Sequence, residues 1–573
     1  MNKIKDNNIY LLVPLIIFGF IIGTIFALHI KIMPDESIYA GRAINFFKSN
    51  QLSTIDQQPL FFYLTDVFYN LFGVNLFGAR FLALFFGYIL SIPLIFLITR
   101  KLYDSKIAIL SSFIFTFSPL YLKVITGVAD EGMVFFSLLS IYFFIKTIKD
   151  NNKFIILSLL FLGIAILLKP IALLFLLSYF MYLIYLSYKD KETKFFSKNK
   201  FKNYIIAILI LLITLLPIFT YNYLFYKDKQ KTDILVNRFL ELNIQDYAEL
   251  GGASEGIHLL DLPQGLTSIL LRLIKWDPLL FLFFIGGLSL LIYKKDKWAK
   301  FLILCLMPLL LFFMTTETST VHLTILVPLM AIFASHFLLT LSNYLNKLTN
   351  KQTLKFFLIL FIIVNILLSL SVIFSTSNFS ALKSYVKSEI PENSLVVVDS
   401  RIYRGFIAFA FNDRHYLEAN LFSEATDKIK DLPNKQNIPV YFVECLSDDC
   451  GWATVKDNPQ FNQSMESLVQ FFNKNSYNKI TFNQEPEPYY RVYISGFELS
   501  PTILQLADST HYFYFNPVAW KNPNQFDIYQ IKTTFDSFLQ KFSFFVLYLT
   551  IFISLLSPIL IIYIIYKENK NGS

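Results

Sequence analysis

Charge is what this sequence holds least of. Asp, Glu, Lys and Arg supply 16% of its 573 residues against a hydrophobic share of 55%, and the mean hydropathy is +0.52. A soluble protein carries roughly a quarter charged residues, so the composition excludes an ordinary soluble domain and points to a polytopic membrane protein. Cysteine is scarcer still, with three residues, too few for a disulfide scaffold. Cys305 lies in an apolar run and reads as an inert core thiol. Cys445 and Cys450 flank a polar Leu-Ser-Asp-Asp stretch and could pair if it faces an oxidising space; free thiols and a metal site are the alternatives. No His cluster accompanies them, and no internal repeat is visible. No small-x-small cleavage site follows the first apolar run, about 9–30, which therefore reads as a retained span and not a signal peptide.

What is present is oil and aromatic rings. Phe contributes 63 residues and Tyr 33, a supply that suits lipid-facing surfaces and interfacial belts. Taking ~20 apolar residues per crossing, spans fall near 10–30, 78–99, 107–122, 132–146, 154–168, 170–188, 204–224, 278–293, 301–314, 323–342, 356–374 and 542–566. The net charge of +9 lies largely in short loops between these runs. That is a positive-inside pattern and not a nucleic-acid footprint. Lys and Arg mark every second loop, from Arg100, Lys101 and Lys106 to Lys567 and Lys570, so both ends are expected in the cytoplasm.

The expected fold is an α-helical polytopic membrane protein of about twelve spans with an external α/β domain before the last one. Residues 1–374 form the transmembrane module, with outer loops at 31–77, 123–131 and 225–277. Residues 375–541 form the outer domain, where strand-like runs such as 395–398, 440–443 and 490–494 alternate with polar helical stretches. Residues 542–573 supply the final span and tail.

Against this background two acidic pairs stand out. Asp35-Glu36 follows the first span, after Pro34, and heads a stretch (Ile38, Tyr39, Arg42, Ala43, Phe46, Phe47) with the spacing of an interfacial helix. Asp35 falls at or beside its N-cap, where the helix dipole favours negative charge; an ionised carboxylate there is either a cap or a general base. Asp130-Glu131 holds the equivalent place before the fourth span, and the two loops could meet in one cleft. Lys169-Pro170 and Arg80, at span ends on the same side, are either snorkelling cations or phosphate contacts. The Glu317–His322 segment is an outer loop that could line the same cleft or be a solvated turn.

The order of these features resembles a known family. Asp35-Glu36, then Gln57-Gln58-Pro59-Leu60-Phe61-Phe62-Tyr63, Gly78-Ala79-Arg80-Phe81-Leu82, Ser118-Pro119, Asp130 and Leu167-Leu168-Lys169-Pro170 is similar to the type C membrane glycosyltransferases. The nearest group is the dolichyl-phosphate-mannose protein mannosyltransferases and lipid A aminoarabinose transferases. The likeness covers about residues 1–190. It implies an inverting enzyme of the cell membrane that moves a sugar from a polyprenyl-phosphate donor to a protein, lipid or glycan acceptor on the outer face. It further implies Asp35 as the acceptor-activating or acceptor-orienting carboxylate, with Glu36 and Asp130 beside it. Arg80 and Lys169 match basic positions that hold donor phosphate, and His322 is the polar group available near the tenth span. Two departures touch the donor contacts: Gln57-Gln58-Pro59 stands where the family often has Lys-Pro-Pro, and Val321-His322 where it commonly has a basic residue and Tyr.

Two other classes compete. A lipid-linked-sugar transporter or flippase would place ionisable residues mid-span, whereas here the acids gather at one face. A non-catalytic membrane assembly protein would leave both acidic pairs without a task. The related pyrophosphate-dependent oligosaccharide transferases call for a divalent metal; Asp35 and Asp130 are the candidates to bind one, without a ligand cluster in support. The expected partners are the lipid-linked donor, the acceptor and membrane lipids, with no nucleic acid.

Overall fold

Runs that are apolar on every side become helices buried on every side, and they form the centre of this molecule. The structure is a computed structural model that describes residues 8–30, 32, 34–49, 51–54, 57–189, 198–233, 236, 262–316, 319–349, 353–373, 378–399, 401–402, 407, 409–411, 413–419, 438–447, 450, 459–485, 489–499 and 529–572. Helix α1 (Asn8–His29) precedes α2 (Pro34–Ala43), α3 (Pro59–Phe72) and α4 (Leu76–Phe81). From α4 the chain runs through a π-helical stretch, Leu82–Ile89, into α5 (Ser91–Leu102). Then come α6 (Ser105–Thr116), the single turn α7 (Pro119–Leu122), α8 (Ala129–Lys149) and α9 (Phe154–Leu168). Helices α10 (Leu174–Lys189), α11 (Lys198–Thr214), α12 (Leu216–Lys229), α13 (Leu262–Trp276), α14 (Pro278–Tyr293), α15 (Lys297–Thr315), α16 (Val327–Thr349) and α17 (Thr353–Ile373) complete the membrane part before the outer domain.

Eight helices among the described residues are long and apolar enough to cross a membrane, or ten if α11–α12 and α13–α14, bent by 50° and 120°, each count as one span. Adding the two shorter apolar helices, α6 and α9, reaches the twelve expected from hydropathy. Lys169-Pro170 does separate two helices: a residue before proline is pushed out of the helical region, and Lys169 sits at φ −154°, ψ 127°. Burial sorts the spans. Helix α8 is 89% buried over its apolar window, whereas α17 is 17% buried and shows Phe356, Ile359, Ile363 and Leu367 on its surface. Helix α8 packs against α9, α5, the π-helical stretch and a 3-10 turn, Thr320–Leu326, and is the central post of the bundle.

The polar region beyond α17 folds as a sheet between helices. Its strands are β1 (Leu395–Val398), β2 (His415–Glu418), β3 (Ile438–Cys445), β4 (Ser476–Phe482) and β5 (Tyr490–Leu499), in the order β2-β1-β3-β5-β4. β1 is parallel to β2 and β3, while β5 is antiparallel to β3 and β4. Side chains alternate across it. Leu395, Val397 and Phe442 pack with Leu468 and Phe472 of helix α19 (Pro459–Asn475). Val396, Val398 and Val443 lie on the other side, in one apolar cluster with Phe379 and Leu382 of α18 (Asn378–Glu389). Cys445 and Cys450 form a disulfide with their Cα atoms 6.1 Å apart.

The last helix, α20 (Thr534–Gly572), is tied at both ends. Near its start Asp536 pairs with Lys227 at 2.7 Å, and Lys532 reaches Asp228 at 3.0 Å. Near its end Glu568 meets Lys101 at 3.2 Å, Lys146 at 3.5 Å and Arg100 at 3.7 Å. Lys146 is in the last turn of α8 and Asp130 in its first. Glu568 and its three cations therefore lie at the end of the bundle opposite Asp130.

Candidate functional site

The site begins with the way α8 starts. Its N-cap is Val128, an extended residue with no side-chain cap bond, so Asp130 lies inside the first turn. The Asp130 carboxylate does not close the helix end. Its Oδ2 accepts from Lys169 Nζ at 2.5 Å and its Oδ1 lies 2.8 Å from His322 Nδ1. Lys169 Nζ and His322 Nδ1 are 3.0 Å apart, so three residues from three elements meet in one cluster. Each arrives for a local reason. The first turn of α8 favours a negative group. Pro170 forces Lys169 extended, which swings its side chain away from α9. The 3-10 turn Thr320–Leu326 presents His322 one third exposed, whereas Asp130 is 2% exposed.

The cluster has a fixed shape and an unfixed proton. Nδ1 of a neutral imidazole either donates or accepts. It can donate to Asp130 or accept from Lys169, not both. The Lys169 ammonium has three N–H donors, so at least one remains for an incoming oxyanion.

Glu36 and Arg80 meet elsewhere and more tightly. Arg80 Nη2 donates to Glu36 Oε2 at 2.6 Å, and its Nε donates to Oε1. The Gly127 amide donates to Oε1 at 2.8 Å. Arg80 Nη1 donates to the carbonyls of Ala27 and Ile30 at 2.7 and 2.9 Å, meeting orphan acceptors at the end of α1. Arg80 is 0% and Glu36 1% exposed, so this forked pair clamps α1, α2, α4 and the 124–128 segment. Arg80 was expected among the phosphate contacts and Glu36 among the catalytic acids; in this structure each meets the other. Asp35 is the second residue of α2, with its side chain outside the described residues. Glu317 also lies outside them.

The π-helical stretch holds the two constellations in register. Wider turns leave carbonyls to be met from outside, and Tyr121 Oη donates to the Gly87 carbonyl at 2.6 Å. Gly87 is needed for closeness: a Cβ there would lie 2.4 Å from Glu131 Cβ and 2.7 Å from its backbone carbon. Gly87→Ala is therefore expected to push the first turn of α8 outward and separate Asp130 from Lys169. Lower thermal stability of the purified protein in detergent, with weaker ligand binding, would show it; an unchanged melting temperature would refute the packing argument. Gly127 and Gly87 were missed by sequence reading because their roles depend on the segments that approach them. Among the described residues no three His, Cys, Asp or Glu side chains gather to hold a metal.

Comparison with known proteins bears on this geometry. Residues 56–221 match the family model of dolichyl-phosphate-mannose-protein mannosyltransferase, a stretch that contains Arg80, Asp130 and Lys169. An uncharacterized protein of Aquifex aeolicus is 29% identical over 148 residues, which is 24% of this chain and 30% of that relative. The chain thus matches less than a third of this relative's length. Crystal structures of ArnT from Cupriavidus metallidurans superimpose over most of the molecule. The undecaprenyl phosphate complex gives a TM-score of 0.52 at 10% identity, covering 85% of this chain and 98% of ArnT. The apo form gives 0.53 at 9% identity, covering 84% and 97%. At such identities the likeness is one of fold. The resemblance drawn from the ordered motifs is borne out, and this chain is a multi-span membrane protein of the type C glycosyltransferase fold whose residues 56–221 match the protein mannosyltransferase family.

Proposed function

We propose that this chain is an inverting glycosyltransferase of the cell membrane that moves a sugar from a polyprenyl-phosphate donor to a hydroxyl- or amine-bearing acceptor on the outer face. The observation that carries the reading is the meeting of Asp130, Lys169 and His322 at the N-terminal end of the most buried of the described spans. Structural matching to ArnT in complex with undecaprenyl phosphate supports a polyprenyl carrier.

In this reading the acceptor oxygen attacks the anomeric carbon as the carbon–oxygen bond to phosphate breaks. The acceptor proton passes to Asp35, and the carrier phosphate leaves with the bonding electrons. Such a leaving group needs little protonation, so positioning and charge stabilisation are the main tasks. Lys169 and His322 meet the donor phosphate, and Asp130 holds both side chains in place. Glu36 and Arg80 set the backbone at Asp35, so theirs are positioning roles. Outward placement is supported by the Cys445–Cys450 disulfide, which suits an oxidising compartment, and by the basic loops and Glu568 at the opposite end. Both termini are then cytoplasmic. The sheet domain is then on the same face, in a position to help choose the acceptor.

The test is transfer from a radiolabelled polyprenyl-phosphate sugar by the full-length protein in liposomes, with mass spectrometry of cell-surface glycans and glycolipids to find the acceptor. Asp35→Asn is expected to abolish transfer and leave membrane abundance intact. Undiminished transfer by that variant would remove Asp35 from the mechanism.

A further inference from the structure

The clamp described above leaves a charge question. Arg80 is held by Glu36, and Lys169 shares its charge with Asp130. An oxyanion in the cleft is better stabilised by a cation without a carboxylate already in contact.

Lys123 is such a cation. It follows the turn α7 and lies seven residues before Asp130, on a compact segment in which Val124, Ile125 and Thr126 are fully buried. Lys123 is itself 9% exposed. Its Nζ sits 5.2 Å from the centre of the Trp276 ring. Among the described residues this ammonium donates no hydrogen bond and forms no ion pair within 4 Å. Burial holds its ammonium below the usual lysine range, and the Asp277 charge acts the other way. Asp277 does not touch it and is otherwise engaged: Ser118 Oγ donates to its Oδ2 at 2.5 Å, and the Leu280 amide to its Oδ1 at 3.2 Å.

The walls around this ammonium are built and stiff. Trp276 and Asp277 form the 120° elbow between α13 and α14, and the Ser118–Asp277 bond ties that elbow to α7. The turn α7 packs against α13 and against the 3-10 turn that carries His322. Lys123 and His322 thus come from neighbouring pieces of one rim. The Lys123 side chain is mostly enclosed, and an ammonium held against such walls without a hydrogen-bonding acceptor gives up part of its hydration. Trp276 offsets part of that cost through the ring face.

We infer that Lys123 and Trp276 form a second oxyanion subsite beside the Asp130 cluster, one that takes a phosphate-like group. The inference rests on reading this rim as a ligand cleft. Two sources carry such a group: the phosphate of the lipid carrier, and a phosphate or other oxyanion free in solution or borne by the acceptor.

The experiment uses the full-length protein in phosphatidylcholine nanodiscs, with undecaprenyl phosphate, uncharged undecaprenol and inorganic phosphate as separate probes. Affinities are read by native mass spectrometry for the lipids and by thermal shift for phosphate. If the carrier is the source, Lys123→Gln weakens undecaprenyl phosphate binding by about tenfold or more and leaves undecaprenol unchanged, while Lys123→Arg largely restores it. If the source is a free or acceptor-borne oxyanion, Lys123→Gln removes the stabilisation by inorganic phosphate and spares the carrier. Equal binding of every probe by wild type and Lys123→Gln overturns the inference. Melting temperatures without ligand show whether the variants fold, and Lys123→Met, which removes the charge but keeps the side-chain length and its apolar packing, carries the test if Lys123→Gln does not fold. Lys123-dependent binding by a protein that transfers no sugar would refute the transferase reading and leave the subsite standing.

Discussion

Asp130→Asn is expected to lower sugar transfer by about 100-fold or more while the protein still folds and inserts. The carboxylate holds two groups at once, Lys169 on Oδ2 and His322 on Oδ1. An amide carries no negative charge and presents one oxygen and one NH2, so Lys169 can keep the oxygen while His322 faces the NH2 only as the tautomer that accepts at Nδ1. The charge that anchors Lys169 is lost either way, and the proposed phosphate contact loses its preset geometry. Folding is spared because Lys169 is 20% exposed and its ammonium can reach water. The check is a transfer assay beside membrane abundance and melting temperature. If abundance falls in step with activity, Asp130 is a structural residue; if activity holds, the cluster is not the site.

Arg80→Met should have the largest effect on the fold. Removing one partner of a buried ion pair strands the other charge, a loss of about 3–5 kcal/mol. Here the stranded group is Glu36, at 1% exposure. The change also orphans the carbonyls of Ala27 and Ile30. The expected outcome is a protein that accumulates poorly and aggregates on detergent extraction. Glu36→Gln with Arg80→Met, which removes both charges, should be milder than Arg80→Met alone. Normal abundance and melting temperature for Arg80→Met would refute the clamp; lost activity at normal stability would return Arg80 to the donor site.

The two constellations differ in how far they could be read from the chain. Each apolar run expected to span has a helix in its place, and strands appear at 395–398, within 438–445 and within 490–499. Hydropathy and alternation are local properties, so they survive folding. The acidic pairs were also visible, because a carboxylate beside a membrane-length run is rare. Their partners were not. Asp130 read equally well as a cap, and only the position of Val128 at the helix end separates the readings. Arg80 and Lys169 looked alike as cations at span ends, yet one is locked in a buried fork and the other joins the exposed-edge cluster. Lys123 drew no notice, since a lone lysine between apolar runs looks like any solvated loop residue.

By itself, then, the sequence determined that this is a membrane protein, where its spans and outer domain lie, and which few charged residues stand at one face. These follow from the free energy of moving each segment between water and hydrocarbon, a quantity set by nearby residues. Tertiary structure alone decided which charge meets which. Lys169 and His322 are 153 residues apart and Glu36 and Arg80 are 44 apart. Ion pairing depends on distances of a few ångströms between elements, and packing of the π-helical stretch against α8 at Gly87 sets those distances.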